Sequence, residues 1–237
     1  IAGYLNINYT PFIFDIPVKF SVGGLVRRKE RTSFYNQYTL IPVSERPAPF
    51  QYFSEKGVEW NTYSEIHWEV LNPPDPTHPL NYDASEDISA GYFQYDFNVK
   101  NIQFIGGLRA EYTKQGYILH YEQYGSDPIG SQKYTDFLPS FHVKYKPTNK
   151  QNVRFSYFRG INRPGFLEIV PYEDKTDEYT EAGNANIKRA IADNFDVRYE
   201  YFPSNLDQFM VGLFYKNIKN PIEYSFVEKG ATKSIIY

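Results

Sequence analysis

Apolar and polar residues alternate with a period of two along four stretches in the second half of the chain. These stretches are Tyr134–Lys146, Asn152–Arg159, Phe195–Phe202 and Phe209–Ile218. Because successive side chains of a β-strand point to opposite faces, the alternation predicts four strands. Short turns at Pro147–Gln151 and Pro203–Asp207 join the first pair and the last pair, whereas more than thirty residues separate the second strand from the third.

The first half of the chain has the same period and predicts four more strands. They are Ile1–Tyr9, Pro17–Arg28, Ser89–Val99 and Ile102–Thr113. Thr10–Ile16 and Lys100-Asn101 are the short turns within these two pairs. Long connections are expected at residues 29–87, 114–133, 160–193 and 220–237. The alternation of short and long connections predicts an all-β fold for residues 1–237, an antiparallel up-and-down meander of about eight strands.

The two faces of the later strands differ sharply in chemistry. One face is apolar and aromatic and contains Phe137, Phe141, Val143, Tyr145, Val153, Phe155, Tyr157, Phe195, Val197, Tyr199, Tyr201, Phe209, Val211, Leu213 and Tyr215. The other face contains Ser140, His142, Lys144, Asn152, Arg154, Ser156, Asn194, Asp196, Arg198, Glu200, Gly212 and Lys216, interrupted by Phe158, Met210 and Phe214. A soluble sheet with one face on a core has this pattern too. Tyrosines near the short-turn ends and strands of about 9–11 residues favour a transmembrane barrel, whose aromatic girdles lie at the membrane interfaces.

The composition agrees with either interpretation. Hydrophobic residues make up 41% of the chain, and no run of 18 apolar residues occurs, so the sequence predicts no transmembrane helix. A net charge of −3 without a clustered basic face argues against nucleic acid as a partner. The absence of cysteine excludes disulfides and thiolate metal sites.

The sequence contains no recognisable catalytic or metal-ligating motif. The four histidines, His67, His78, His120 and His142, are far apart and lack the spacing of a metal site. We therefore expect no enzyme activity, no catalytic residue, no bound metal and no cofactor. The acidic run Glu173–Glu181 has oxygen ligands that calcium accepts but lacks the order of an EF-hand, and a solvated loop is the alternative.

Several segments resemble the later barrel strands of TonB-dependent outer-membrane receptors, especially those of Bacteroidetes. The resemblance extends over residues 85–224 and is strongest in Phe137–Lys146, Asn152–Tyr157, Arg163–Tyr172, Gly183-Asn184, Asp196–Phe202 and Val211–Ile222. The chain departs from the family pattern at Ala185 and Arg189, where the family often has proline.

The resemblance implies a location in the cell outer membrane and a role in importing a bulky solute, such as a siderophore, glycan, cofactor or peptide. The chain would form part of a barrel of about 22 strands. Its implied partners are outer-membrane lipid, the receptor's own plug domain, the TonB complex, the unknown solute and a surface lipoprotein. Neither a signal peptide, a TonB box nor a plug domain is visible in the sequence, so we expect the chain to be part of a longer protein.

The resemblance also assigns two groups of site residues. Charged residues of the polar face are expected to face the barrel lumen and contact the plug: Arg109, Glu111, Lys144, Arg154, Asp196, Arg198 and Glu200. A pairing of Arg198 with Glu111 or Glu200 would satisfy these charges. Aromatic and polar residues of the outer loops are expected to bind the solute: Tyr121, Tyr124, Asn162, Arg163, Phe166, Tyr172, Glu173 and Tyr179.

Two other classes of protein fit the same pattern. About eight strands can close into a small, self-contained outer-membrane barrel with a structural or adhesive role. A soluble all-β binding module would bury the aromatic face, including Phe155, Tyr157, Val197 and Tyr199, beneath a second sheet.

Overall fold

The computed structural model describes residues 1–36, 40–43, 67–70, 78, 80–121, 127–175, 179–204, 206–229 and 232–236. The elements, in chain order, are β1 (Ala2–Tyr9), β2 (Phe12–Ile13), β3 (Ile16–Ser33), β4 (Leu40–Val43), β5 (His67–Val70), β6 (Tyr82–Val99), β7 (Ile102–Leu119), β8 (Ile129–Thr148), β9 (Gln151–Asn162), α1 (Phe166–Ile169), β10 (Glu173–Lys175), β11 (Thr180–Ala182), β12 (Ala190–Tyr201), β13 (Phe209–Lys219), β14 (Ser225–Lys229) and β15 (Thr232–Ile236). Within the helices of this part of the chain, none is long and apolar enough to cross a membrane.

The main sheet is an antiparallel meander in which each long strand pairs with the next one along the chain. Its order is β1-β3-β6-β7-β8-β9-β12-β13, and β2 pairs with the start of β3. The predicted all-β meander of about eight strands is therefore confirmed. Two smaller sheets, β4-β5 and β10-β11-β15-β14, lie in the long connections.

The register places the predicted apolar residues on one face of the sheet. Val143 is opposite Phe155, Phe155 is opposite Val197, and Val197 is opposite Leu213. The apolar side chains of this face form a band on Gly3–Tyr9, Val18–Val26, Gly91–Val99, Ile102–Tyr112, Phe137–Tyr145, Val153–Tyr157, Phe195–Tyr201 and Phe209–Tyr215. We call this the outer face and the opposite one the inner face.

Charged residues mark the edge of the apolar band on the side of the long connections. Arg28 is opposite Asp87, and Asp87 is opposite Lys114, which in turn is opposite Lys133. On later strands Arg159 is opposite Asp193 in the same role. A lipid-facing band bordered by charges is what a membrane barrel requires, because charge is costly beside hydrocarbon and inexpensive at the headgroups.

Beyond this edge the two faces exchange their chemistry. The inner face becomes apolar at Tyr82, Ala84, Tyr117 and Leu119, all of which are buried, whereas the outer face carries the charges. The strands therefore continue past their predicted ends. The connections expected at residues 29–87 and 114–133 are shorter, because β3 extends to Ser33 and β6 begins at Tyr82, and β7 extends to Leu119.

Other connections also differ from the predicted bounds. The connection expected at 160–193 is shorter because β9 ends at Asn162 and β12 begins at Ala190. The turn expected at Thr10–Ile16 is tighter, since β2 pairs with β3 and leaves Phe14-Asp15 at the tip. Both tip residues have positive φ, 50° and 62°, which matches the twist of a two-residue hairpin turn.

The structure contradicts both alternative architectures. Leu213 is 75% exposed and Phe137 is 59% exposed, and no second sheet packs on this face in the part of the chain that the structure describes. The soluble sandwich is therefore wrong. Within the same residues β1 and β13 are the two edges of the sheet and do not pair with each other, so the chain does not close a small barrel by itself.

Candidate functional site

The connection between β9 and β12, residues 163–189, folds back onto the inner face, and we call it the anchored loop. It forms a hydrophobic core with the upper ends of β6 and β7. The buried members of this core are Tyr82, Ala84, Tyr117, Leu119, Ile169, Val170, Tyr172 and Ile187. This packing explains why the inner face is apolar there, since the loop shields those side chains from water.

Glu111 is the centre of the first polar anchor beneath this core. Its carboxylate is 8% exposed and accepts hydrogen bonds from both Arg109, on the same strand, and Arg163, at the start of the anchored loop. Arg163 also donates from Nε to Thr113 Oγ1 at 3.1 Å. A carboxylate removed from water is stable here because two guanidinium groups surround it.

A second anchor holds the loop backbone through Gln115 and Glu86. Gln115, 1% exposed, donates from Nε2 to Glu86 Oε2 and to the carbonyl oxygen of Pro164, both at 3.0 Å. Arg27 approaches the other oxygen of Glu86 at 2.8 Å. The hydroxyl of Tyr134 donates to Gln115 Oε1 at 3.0 Å. This network satisfies the buried amide and connects four adjacent strands to the loop.

Arg189 forms the third anchor, at the other end of the loop. Its Nε is 2.7 Å and 2.8 Å from the two carboxylate oxygens of Asp136, which is 5% exposed. The guanidinium also lies over the ring of Tyr134, with Cζ 4.3 Å from its centroid. The ion pair and the stacked ring together fix the end of the anchored loop to β8.

The interior of the anchored loop is tightly packed around α1. Glu168 accepts a hydrogen bond from the N–H of Gly165 at 2.8 Å, and its own carbonyl oxygen accepts one from the N–H of Asn184 at 2.8 Å. A Cβ on Gly183 would lie 1.9 Å from the carbonyl oxygen of Val170, a distance that no side chain tolerates. Glycine at position 183 is therefore required by the close approach of the two halves of the loop.

Comparison with known families identifies the architecture. The outer membrane protein beta-barrel family matches residues 59–237, which is more than half of the chain. The chain belongs to the outer membrane protein beta-barrel family. The apolar outer band is thus the lipid-facing surface of an outer-membrane barrel, its inner face is the lumen wall, and the protein is located in the outer membrane.

Solved structures of outer-membrane receptors share the fold of this family member. The ferric-catecholate import receptor Fiu from E. coli K12 aligns with a TM-score of 0.60 and 16% identity over 99% of this chain and 33% of its own. The siderophore receptor PiuA from Acinetobacter baumannii aligns with a TM-score of 0.60 and 12% identity, over 99% of this chain and 33% of its own. The hemophore receptor HasR from Serratia marcescens aligns with a TM-score of 0.54 and 11% identity, over 100% of this chain and 43% of its own. The resemblance to TonB-dependent receptor barrels is therefore confirmed for the fold.

The chain spans about a third of the length of the first two of these receptors. No curated protein sequence matches it. An assignment to Bacteroidetes rests on the sequence resemblance alone and stays a prediction.

The structure places the expected solute-binding residues in three different settings. Arg163, Phe166 and Tyr172 are parts of the anchored loop, and Tyr172 is only 2% exposed. Arg163 and Phe166 are partly buried, and solute binding by these three residues stays a prediction. Asn162, by contrast, is exposed and lines an inner-face cavity of about 410 Å³ together with Asn194 and Lys216.

Three more of these residues are exposed or partly exposed, and one cannot be placed. Tyr121 is 39% exposed at the end of β7, and Glu173 is exposed in β10. Tyr179 is partly buried, whereas Tyr124 lies outside the described residues. Of the acidic run considered for calcium, residues 176–178 also lie outside the described part of the chain.

All seven residues expected in the lumen lie on the inner face by strand register. They are Arg109, Glu111, Lys144, Arg154, Asp196, Arg198 and Glu200. Their expected pairing needs correction, because Glu111 binds Arg109 and Arg163, and Glu200 binds Arg154 with Nε 2.8 Å from Oε1. Arg198 forms neither of the pairs proposed from the sequence. Contact of these residues with a plug domain stays a prediction.

Sequence reasoning missed the partners that fix the loop. These are Arg27, Glu86, Thr113, Gln115, Tyr134, Asp136 and Arg189. Extending the alternation of β6, β7 and β8 beyond the membrane would have placed most of them on the inner face. The pattern could not have shown the pairings, because Arg163 and Glu111 are 52 positions apart and Arg189 and Asp136 are 53 apart.

Proposed function

We propose that this chain forms part of the barrel wall of a TonB-dependent receptor that imports a bulky solute across the outer membrane. The observation that carries the proposal is the two-sided wall: apolar towards lipid, polar towards the lumen, and covered at its outer end by a loop anchored through Glu111, Gln115 and Asp136. A protein of this kind has no need of catalysis, and we propose that it is not an enzyme.

The structural relatives suggest the class of solute. They are a ferric-catecholate import receptor, a siderophore receptor, a copper transporter and a receptor in complex with its hemophore and heme. A siderophore or another bulky chelate is therefore the first candidate for this protein, ahead of a glycan, cofactor or peptide. Transport would require a plug domain and the TonB complex, and a surface lipoprotein could complete the outer site.

The available surface for the solute is the upper lumen beside the anchored loop. Asn162 and Asn194 line the cavity of about 410 Å³, and Asn194 Nδ2 already donates to the carbonyl oxygens of Phe158 and Ala192. Tyr121 and Glu173 are exposed farther out. Amide, phenol and carboxylate groups of this kind orient a polar solute through hydrogen bonds. The anchored loop would then serve as a rigid wall of the site, because its own side chains are already paired with the barrel.

Uptake by cells that express the full-length protein tests this proposal. Cells with and without the gene would be given radiolabelled ferric catecholate, heme, cobalamin and an oligosaccharide, each in the presence and absence of a protonophore. We expect one class to require the gene and to lose uptake when the proton gradient is collapsed. If the uptake of every probe is independent of the gene, or if it continues in the presence of the protonophore, the result contradicts energy-coupled import.

Replacing Asn162 by alanine tests the location of the site. We expect weaker binding of the transported probe with an unchanged amount of protein in the outer membrane. Lys29→Ala is the control, since Lys29 is also on the inner face but lies over the ring of Phe166, 5.9 Å from its centroid, away from the cavity.

A further inference from the structure

Three cations lie side by side on the lumen wall, in the half of the barrel near the short turns. The register places Lys144 of β8 directly opposite Arg154 of β9, and Arg154 directly opposite Arg198 of β12. We call these residues the cation row. Side chains directly opposite each other in a sheet have Cβ atoms about 5 Å apart, and like charges in such positions repel.

The carboxylates of the wall do not neutralise the cation row. Glu200 pairs with Arg154, whose Nε–H is buried and makes no well-aligned hydrogen bond despite the 2.8 Å separation. Asp196 is two residues before Arg198 on the same face, but no ion pair within 4.0 Å joins Asp196, Lys144 or Arg198 to any described residue. Lys144 and Arg198 therefore form no close ion pair with a described carboxylate, and Glu200, which is paired with Arg154, is the carboxylate that acts on Lys144 from a longer distance.

A cavity of about 430 Å³ lies against the first two cations of the row. Its other walls include the amides of Gln94 and Gln103 and the hydroxyls of Ser140 and Ser156. Gln103 Nε2 already donates to Asp96 Oδ1 at 3.0 Å, whereas the two hydroxyls and the amide of Gln94 can donate to a bound group. Their combination with a lysine and an arginine is the donor set that carboxylate and phosphate groups prefer. On the other side of the row, Gly212 is opposite Arg198 and leaves space above it.

We propose that the cation row is a binding site for an oxyanion, a carboxylate or phosphate group held between Lys144, Arg154 and Arg198. The oxyanion removes the repulsion within the row and accepts hydrogen bonds from the cavity walls. It belongs either to an acidic side chain of the polypeptide that occupies the lumen or to an anionic solute that passes through it. This inference deepens the proposed import function and rests on it for the two sources of the oxyanion, whereas binding at the row is measured independently of uptake.

Binding of inorganic phosphate by the complete, closed barrel, prepared from the full-length protein without the polypeptide that occupies its lumen, tests the site in detergent micelles. At constant ionic strength, we expect phosphate to raise the unfolding temperature in a saturable way. Lys144→Gln and Arg198→Gln should each weaken the apparent affinity about tenfold, since each removes one charged donor. Lys19→Gln is the matched control, because Lys19 lies on the same face near the short turns and the change in charge is the same, but it lies outside the row, opposite Asp96 of β6.

Two results would overturn the site: a phosphate effect that does not saturate, or an equal loss of affinity in the Lys19 variant, which would indicate a diffuse positive field. Circular dichroism of each variant confirms that it still folds, and Lys144→Arg, which keeps the charge, should keep the affinity. Neither result bears on uptake, so the import proposal would stand or fall separately.

The same titration on the full-length protein identifies the source of the oxyanion. If a side chain of the lumen polypeptide occupies the row, phosphate will no longer bind, and Lys144→Gln will make that polypeptide more sensitive to protease. If the row serves a solute, phosphate will bind to the full-length protein as it does to the closed barrel without that polypeptide.

Discussion

At the scale of single residues, the anchored loop depends on charges that are almost removed from water. Glu86, Glu111 and Asp136 are each 6% exposed or less, and each has at least one arginine within hydrogen-bond distance. An ion pair in such a place adds little compared with apolar packing, but the loss of one partner leaves an uncompensated buried charge. The anchors are therefore more sensitive to mutation than surface ion pairs are.

Glu111→Gln should release the start of the anchored loop. The change removes the charge that pairs with both Arg109 and Arg163 and should cost on the order of 3 kcal/mol. Hydrogen exchange of the amides of residues 166–172 measures the release, and we expect it to accelerate about a hundredfold. Glu30→Gln is the control, because Glu30 and its partner Arg28 are both more than half exposed and the change should alter exchange less than about twofold. Equal exchange in the two variants would contradict the anchoring role.

The ion pair of Asp193 and Arg159 should make a small contribution to stability that depends on pH. Hydrogen bonds from Arg159, at 2.8 Å and 3.1 Å, lower the pKa of Asp193 below its ordinary value. The stabilisation is therefore fully present above the ordinary aspartate pKa and is lost as pH falls through the lowered one. Thermal unfolding between neutral and acidic pH should show a difference below about 1 kcal/mol that Asp193→Asn abolishes. A pH dependence that persists unchanged in the variant would show that other carboxylates cause it.

At the scale of elements, the long strands β6 and β7 each have two parts with opposite polarity. The part near the short turns is apolar outside and polar inside, as in Gly91–Val99, and it spans the membrane. The part beyond the charged row is polar outside and apolar inside, where it supports the anchored loop. The alternation with a period of two continues along the strand, but the apolar side chains change from the outer face to the inner face. One strand therefore contacts lipid in one part and the anchored loop in the other.

This reversal explains how much of the fold could be predicted from the sequence. The membrane parts of all eight strands and their faces were predictable, because a constant apolar face such as Phe137, Phe141 and Val143 is a local signal. The ends of β3, β6 and β7 were not predictable. Tyr82 and Tyr117 are apolar side chains on the inner face, which is polar in the membrane part of the strands. The inward fold of the loop depends on contacts more than fifty positions apart, which no local pattern shows.

Gly183→Ala should disrupt the anchored loop without affecting the barrel strands. The new methyl group would meet the carbonyl oxygen of Val170 at 1.9 Å, so the loop backbone must shift at a cost of about 1–3 kcal/mol or more. We expect faster protease cleavage within residues 163–189 and an unchanged β signal in circular dichroism. Gly160→Ala is the control, since its methyl group would lie 3.9 Å from the ring of Phe158, an ordinary contact. A cleavage rate equal to that of the unchanged protein would contradict the tight packing.

At the scale of the whole molecule, the chain is a curved section of wall with two edges. The outward N–H and C=O groups of β1 and β13 have no partner strand among the described residues. Such edges pair readily with other strands, and in lipid each unpaired group costs several kcal/mol. The section is therefore stable in the membrane only as part of a closed barrel.

Light scattering of the 237-residue chain tests the consequence of these edges. In detergent we expect oligomers joined edge to edge, or a closed form in which β1 and β13 pair, and without detergent we expect aggregation through the apolar face. Circular dichroism shows whether the material is β-rich in each condition. A β-rich monomer in plain buffer would contradict the lipid-facing assignment of Leu213 and Phe137.

The most direct measurement of the central claim is a scan of single fluorescent labels across the wall. The chain contains no cysteine, so cysteines introduced at Val197 and Leu213 on the outer face, and at Asp196 and Gly212 on the inner face, report one position each. In the full-length protein in liposomes, with any other cysteine replaced by serine, spin-labelled lipid should quench the outer labels and a water-soluble quencher the inner ones. If spin-labelled lipid quenches the labels at neighbouring positions to the same extent, the result contradicts a two-sided barrel wall.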